Sequence, residues 1–388
     1  MATVNSELCD MQEPTDWVET PNVFSFTSLE SISRCPRRWQ FLRSAWGPHR
    51  RFPVPPSVAA LEGRVIHRAL EKLARALGAR GRPQIGTAEF QSAMGDCDFW
   101  GIFSALLVEM NEGDLRSMGR NVISRPPREL ANRAIRLFRA SYVPGNGVPW
   151  RPARGGRMED QTKWKALLHS RGSVAEAELT HPQLPFMGII DLVVMARDGR
   201  STILDYKTGK HADSDQQQVL LYALLWWRAT GDLPAATTIQ YLDGCLTAAV
   251  DATKLEEVEE LLARRLRHAR GCLGQHPAPS QPSTACRYCP VRARCDEGWA
   301  AAGYAADRHH LDLEMTVQSE IHATGFMAKK SDGTILSVVL DSSLAGHLPT
   351  GLAIGNRIRL ISASSARPRG EKNEIEIRPS TEILRLPR

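Results

Sequence analysis

The sequence predicts an α/β fold: a core of mixed strands and helices with a helical insertion, followed by a small all-β barrel. Three observations predict it. Two β-rich runs, residues 186–196 and 201–206, are joined by an Arg-Asp-Gly-Arg turn and lead into an apolar helical stretch from Asp213. Residues 82–170 read as largely helical. From about residue 310, short alternating runs are punctuated by Gly325, Gly333, Gly351, Gly355 and Gly370, as in a compact barrel. A chain of 388 residues can bury a large core and usually divides into two domains or more.

Taken in order, residues 1–20 carry Glu7, Asp10, Glu13, Asp16 and Glu19 and no lysine or arginine, so a loose, disordered acidic arm is expected there. Residues 21–46 hold a helix start and an element around Cys35, and Phe52-Pro-Val-Pro-Pro-Ser then breaks the chain. Val65, Ile66, Ala69, Leu70, Leu73, Ala74 and Leu77 trace a helical stripe, with His67 off its centre. The insertion over 82–170 has loops at Arg125-Pro-Pro-Arg and at Val143-Pro-Gly-Asn-Gly-Val-Pro. The sheet is expected from about Val174 to Asp243, and a Leu- and Arg-rich helix over 253–272 returns the chain to a group of cysteines. The core is thus expected over 21–305 and the barrel over 310–388, with no internal repeat.

Asp191 and Asp205 fall on the two runs of the hairpin, and Lys207 follows the second acid by two positions. Side chains alternate along a strand, so Asp205 and Lys207 share a face. Two acids beside a lysine suit a divalent metal held next to a water and a phosphate: carboxylate oxygens match Mg²⁺ or Mn²⁺, and the ammonium can orient the attacking water. The competing reading is a surface hairpin with solvated ion pairs worth little. Gln218 and Tyr222 lie four positions apart on the next helix and could both reach a scissile phosphate. Leu220, Leu221, Leu224 and Leu225 equally suit Tyr222 as a core aromatic.

Gly188-x-x-Asp191, Asp205-x-Lys207 and Gln218-x-x-x-Tyr222 resemble the core of the PD-(D/E)XK nuclease superfamily in its RecB-like branch. That resemblance implies a restriction-endonuclease-like core and metal-dependent hydrolysis of DNA. Gly63-Arg-Val-Ile-His67-Arg-Ala-Leu-Glu71 resembles the branch's first helix, which implies that His67 is a metal ligand beside Asp191, Asp205 and the backbone carbonyl of Tyr206. It also implies a glutamate on the strand before Gly188: Glu178, with Glu176 as the alternative on the same face.

The chain has eight cysteines, and Cys286, Cys289 and Cys295 crowd into ten residues. Thiols that close suit a metal better than disulfides, and a tetrahedral site needs a fourth ligand, for which Cys35 is the candidate. One early cysteine plus C-x2-C-x5-C resembles the iron–sulfur members of the RecB-like branch, which implies a [4Fe–4S] cluster on these four thiolates. Zinc is the rival by ligand softness. Cys9, Cys97, Cys245 and Cys272 read as small hydrophobes or spare thiols.

A formal charge of +6 says little alone. Basic clusters at Arg34, Arg37, Arg38, Arg43, Arg50 and Arg51, at Arg264, Arg265, Arg267 and Arg270, and around the cysteine trio suit a phosphate backbone or ordinary solvated faces. The C-terminal strands look like an OB-fold, a barrel type that binds single strands. Phe326 is its one aromatic, so Arg367, Arg369 and Lys372 are the candidate phosphate contacts, against a barrel used for packing or docking. No apolar run is long enough to span a bilayer and no signal peptide is visible, so a cytoplasmic protein is expected. The expected function is an exonuclease acting on single-stranded DNA or free ends in repair, recombination or anti-phage defence. The alternatives are a structure-specific endonuclease within a helicase complex and an inactive nucleic-acid-binding scaffold. No phosphate-binding G-x-x-x-x-G-K-[ST] loop is present, so unwinding would need a helicase or defence-system partner.

Overall fold

A computed structural model describes residues 8–54, 58–78, 80–96, 98, 101, 105, 127–142, 163–196, 199–302, 311–340, 351–365, 374–378 and 381–387. In chain order the helices are α1 (Phe26–Arg34), α2 (Pro36–Arg43), α3 (Val58–Gly78), α4 (Ala88–Gly95), α5 (Pro127–Ser141), α6 (Lys163–Arg171), α7 (Asp213–Thr230), α8 (Ala252–Leu273) and α9 (Asp296–Ala302). The first sheet holds β1 (Ser173–Thr180), β2 (Met187–Met195), β3 (Ser201–Tyr206), β4 (Ala236–Gln240) and β5 (Cys245–Ala249). The second holds β6 (Leu311–Val317), β7 (Gly325–Lys330), β8 (Ile335–Leu340), β9 (Arg357–Ser365), β10 (Glu374–Ile377) and β11 (Glu382–Arg385). Contacts group residues 21–30 and 55–268 into one compact unit, and residues 1–20, 31–54 and 269–388 into another. This division differs from the expected boundary near residue 305, because the cysteine segments share a unit with the barrel.

In the first unit the five strands lie in sequence order. β1, β2 and β3 are antiparallel, β3 and β4 are parallel, and β5 returns antiparallel. A parallel pair needs a crossover, which α7 supplies. Its buried Val219, Leu221, Leu224, Leu225 and Trp226 make it a core helix, and Gly231 ends it in the left-handed region at φ 71°. The stripe on α3 is buried as expected: Val65, Ile66, Ala69, Leu70, Leu73 and Leu77 share one core with Leu130, Ala134 and Leu137 of α5 and with Leu204 and Tyr206 of β3. Each valine, leucine or isoleucine among them contributes roughly 1.5–3 kcal/mol when fully buried. Much of the expected helical insertion, including the 143–149 loop, lies outside the described residues. α4, α5 and α6 are its described helices. β5 was not legible: all five of its residues are exposed, so no inward face imposed an alternation.

A buried histidine ties the β1–β2 turn to two helices. His181 Nδ1 accepts the backbone N–H groups of Gln183 and Leu184 at 3.2 and 3.0 Å, which leaves the proton on Nε2, 2.9 Å from Glu259 Oε1. Arg228 of α7 closes the network by donating from Nε to both Glu259 oxygens at 3.1 Å.

In the second unit, β6–β7–β8–β10–β9 form a ring closed by the β9–β6 pairing, and β11 adds to β9. β8 and β10 are parallel; the other neighbours are antiparallel. The result is a small closed barrel of the OB-like kind. Leu313, Met315, Val317, Phe326, Ala328, Val338, Ile358, Leu360 and Ile375 fill it. Gly325, expected as a turn, opens strand β7: a Cβ there would sit 2.0 Å from the Val338 carbonyl oxygen, so only glycine permits the pairing. Arg367, Arg369 and Lys372 lie outside the described residues.

Residues 8–20 correct the expectation of a loose arm. Leu8 and Cys9 are buried, Cys9 O accepts from Arg385 N at 2.7 Å, and Asp16 bridges to Ala45. Apolar Leu8, Met11 and Trp17 outweigh the acidic composition by joining the core of Phe41, Trp46, Phe52 and Val291. Arginines around the cysteine trio are likewise engaged. Arg292 pairs with Asp312 through two nitrogens, Arg294 donates to Leu8 O at 2.9 Å and pairs with Glu382, and Arg359 reaches Ala293 O at 2.6 Å and Asp296 at 2.7 Å.

Candidate active site and cysteine cavity

The first sheet brings the two acids together. The last β2–β3 register pair is Leu192 with Leu204, so Asp191 and Asp205 face each other one step beyond it. Asp191 Oδ2 accepts the backbone N–H of Tyr206 at 2.8 Å. Asp205 is buried, and its Oδ2 lies 2.7 Å from Lys207 Nζ as an ion pair, yet it receives no aligned hydrogen bond. Burial raises the pKa of both carboxyls, and the charge of Asp191 raises Asp205 further, while Lys207 opposes both shifts. A divalent cation would relieve both costs.

Lys207 Nζ also donates to Gln218 Oε1 at 2.7 Å, and Gln218 Nε2 donates to the Tyr222 hydroxyl at 2.7 Å. An acid, an ammonium, an amide and a phenol thus form one chain from β3 onto α7. Tyr222 keeps its proton, because burial and the field of Asp205 push its pKa well above the usual phenol value. Gly188 makes this approach possible: a Cβ there would lie 2.8 Å from Tyr222 Cε1 and 2.9 Å from Leu225 Cδ1. Tyr222 is therefore both a buried aromatic and a site group.

His67 faces the acids from α3, half-exposed, with Nδ1 3.9 Å from Asp191 Oδ2. Burial lowers its pKa, partly offset by Asp205 and reinforced by Lys207. The neutral imidazole that results is the form able to bind a metal. Among the described residues, no three His, Cys, Asp or Glu side chains form a ready metal group. Here the acids are held by the Tyr206 N–H and the Lys207 ammonium.

Glu178 stands apart from this cluster. It is exposed, across from Ile189. Glu176 is the better-placed acid: it falls between the register pairs Ala175–Leu192 and Ala177–Ile190, opposite Asp191, and its field reaches Tyr222. Its φ of 52° distorts the strand there. Sequence reasoning missed Arg133. This buried arginine donates to Thr208 O at 2.9 Å and lies 3.7 Å from Glu62, so it anchors the loop after Lys207. A charged residue inside the apolar stripe of α5 was its one visible signal.

The four cysteines singled out by spacing, Cys35, Cys286, Cys289 and Cys295, line one cavity within a single compact unit. Cys35 Sγ, at the N-terminus of α2, accepts from Arg38 N at 3.4 Å. Cys286 Sγ accepts from Ser283 N at 3.4 Å, and Cys295 Sγ from Gly298 N at 3.3 Å and Arg37 Nη1 at 3.6 Å. Donors aimed at sulfur favour thiolates, although burial raises the pKa of the Cys289 and Cys295 thiols. The four thiols line one cavity, but among the described residues they too form no ready metal group. None of the four is in a disulfide.

Opposed acids on adjacent strands, a lysine beside one of them and a crossover helix supplying amide and phenol groups define a phosphodiester-cleaving type of site. The family model of the PD-(D/E)XK nuclease superfamily matches residues 23–296, a span that takes in the first sheet and all four cavity cysteines. The chain belongs to this superfamily of metal-dependent nucleases. No curated protein matches the chain. No described helix is long and apolar enough to cross a membrane.

Proposed function

We propose that the protein is a Mg²⁺- or Mn²⁺-dependent exonuclease acting on single-stranded DNA or free DNA ends, of the RecB-like kind. The observation that carries the metal-dependent reading is the pair of opposed carboxyls, Asp191 and Asp205, the second buried with the Lys207 ammonium against its Oδ2. His67, Asp191, Asp205 and the Tyr206 carbonyl would hold the cation, which would supply Lewis-acid polarisation of the phosphate and a more acidic water. Lys207 positions the attacking water and offsets charge growing on the phosphate. Gln218 fixes the ammonium, and the Tyr222 hydroxyl, accepting from Gln218, keeps its own proton to donate to a phosphate oxygen. Glu176, rather than Glu178, is the acid placed to assist.

The cysteine cavity supports a [4Fe–4S] cluster on Cys35, Cys286, Cys289 and Cys295, with zinc as the rival. Its role is structural, joining an early and a late segment of the chain. Repair, recombination or defence, and a helicase partner, are settings compatible with such an enzyme. The test is incubation of anaerobically purified protein with end-labelled linear and circular DNA, single- and double-stranded, with Mg²⁺ or Mn²⁺. Loss of label from linear DNA, sparing of circles and abolition by Lys207→Ala are expected. Cutting of circles would move the reading to an endonuclease; binding with no cleavage under any metal would leave a scaffold. A brown protein bleached by Cys289→Ser is expected, and a colourless one with one zinc per chain would overturn the cluster.

A further inference from the structure

One exposed aromatic stands out. Tyr288, between two cavity cysteines, is 73 % exposed, and Arg287 lies over its ring at 4.6 Å. Its neighbour Cys289 packs against the small core that holds Phe41, Leu42 and Phe52. Arg38, which lines the cysteine cavity, lies within electrostatic range of Cys289 and of Arg43, and Arg43 within range of Arg51, which gathers these arginines near the Tyr288 segment. Arg43 is stacked over Trp39 at 4.6 Å, which presents its guanidinium in a fixed pose. Among the described residues Arg43, Arg51 and Arg287 form no ion pair, whereas Arg292 and Arg294 nearby are paired with carboxylates. Arg43 feels the like charges of Arg38 and Arg51, which together with burial lower its pKa. Folding alone does not explain arginines without a carboxylate partner among the described residues beside an exposed ring.

We infer that this surface is a second nucleic-acid contact, distinct from the acid cluster, in which Tyr288 stacks on a base of a single strand while Arg43, Arg51 and Arg287 take its phosphates. Paired bases hide their faces, so an exposed ring selects unpaired strands, and uncompensated arginines supply a sequence-independent grip. The choice of nucleic acid as partner rests on the nuclease reading; the surface itself does not use Asp191, Asp205 or Lys207.

The test is fluorescence anisotropy of a labelled 20-nucleotide oligo(dT) across a salt series, using the full chain carrying Lys207→Ala to prevent cleavage. Adding Arg43→Gln, Arg51→Gln and Arg287→Gln together should weaken binding at least about tenfold and flatten the log K against log salt slope by about 2, at ~0.7 per lost contact. Tyr288→Ala should weaken binding about tenfold with the slope kept, and Tyr288→Phe should restore it. Tyr288, Arg51 and Arg287 are exposed; Arg43 stacks on buried Trp39, so circular dichroism and the variants without Arg43→Gln separate lost contacts from lost fold. Unchanged affinity and slope in all variants would overturn the inference, as would a loss confined to a polyglutamate peptide or to anionic phosphatidylserine vesicles. Metal-dependent cleavage by the unmodified chain is scored separately. Cleavage with unaltered variant binding sinks only this surface; variant-sensitive binding with no cleavage sinks only the nuclease.

Discussion

Gln218 accepts from Lys207 and donates to Tyr222, so its amide fixes the direction of the whole polar chain behind the acids. An amide can do this only with its oxygen toward the ammonium, which leaves the phenol proton free. Replacing it with leucine keeps most of the volume and removes both bonds. Gln218→Leu should lower kcat by about 10²-fold with little change in KM, since a misplaced ammonium costs on that order. Steady-state kinetics on end-labelled DNA checks this, and an unchanged kcat would make the chain a packing device. Tyr222→Phe should instead strand the Gln218 Nε2 donor, costing about 1–3 kcal/mol of stability. Thermal melting reads that cost.

His181 gives the fold an acid-sensitive joint. Burial lowers its pKa, opposed by Glu259, and two backbone N–H groups occupy the nitrogen that a second proton would need. The unfolded chain therefore takes up that proton first. Stability from this group is complete above the unfolded value of about 6.5 and is lost as pH falls below it. Glu259, whose pKa is held down chiefly by Arg228 against its burial, extends the loss at lower pH. Melting temperature should drop between pH 7 and 5, and His181→Gln should flatten that slope. A parallel decline in both proteins would assign the sensitivity elsewhere.

What was legible followed the strength of local periodicity and chemistry. The stripe of Val65 to Leu77 is buried, Lys207 pairs with Asp205 across their shared face, and the Cys286–Cys295 trio lines one cavity. β5 left no trace, because an edge strand exposed on every residue has no inward face. Residues 8–20 misled by composition: their acids face outward while Leu8 and Cys9 anchor the segment. Glu178 misled by position, since the distorted backbone at Glu176 changes which acid stands by Asp191. Arg133 showed only as a charge inside an apolar stripe, because its partner, the Thr208 carbonyl, is a backbone group that carries no sequence signal.

Arg37 is the cysteine cavity's one side-chain donor to sulfur among the described residues. Its Nη1 reaches Cys295 Sγ at 3.6 Å and Glu297 Oε2 at 2.5 Å, while Ala278 O, at 3.0 Å from Nε, fixes its pose. Its charge lowers the pKa of the Cys295 thiol against the dominant effect of burial. Arg37→Gln should therefore loosen the proposed metal centre on the four cysteines, with a tenfold to hundredfold loss in metal affinity as for comparable supporting groups. Chelator-driven release followed by absorbance or by a zinc dye reads this without reference to cleavage. Arg37→Lys should recover part of it, and release at the original rate in both variants would reduce Arg37 to a packing role.

At Gly188, β2 and α7 approach closely. The positions a Cβ would meet, Tyr222 Cε1 and Leu225 Cδ1, belong to a buried helix flanked by the sheet, so neither can withdraw without moving α7. Gly188→Ala should cost about 1–3 kcal/mol, as overpacking usually does, seen as a melting temperature lower by several degrees. The same displacement would carry the Tyr222 hydroxyl away from Gln218, so activity should fall more than stability alone explains. Gly188→Ala combined with Leu225→Ala separates the two effects. If Leu225 is the obstacle, stability returns in part; if the Tyr222 ring is, activity stays low even where the fold has recovered. Wild-type melting and turnover for Gly188→Ala would show that the glycine is not required for the close approach.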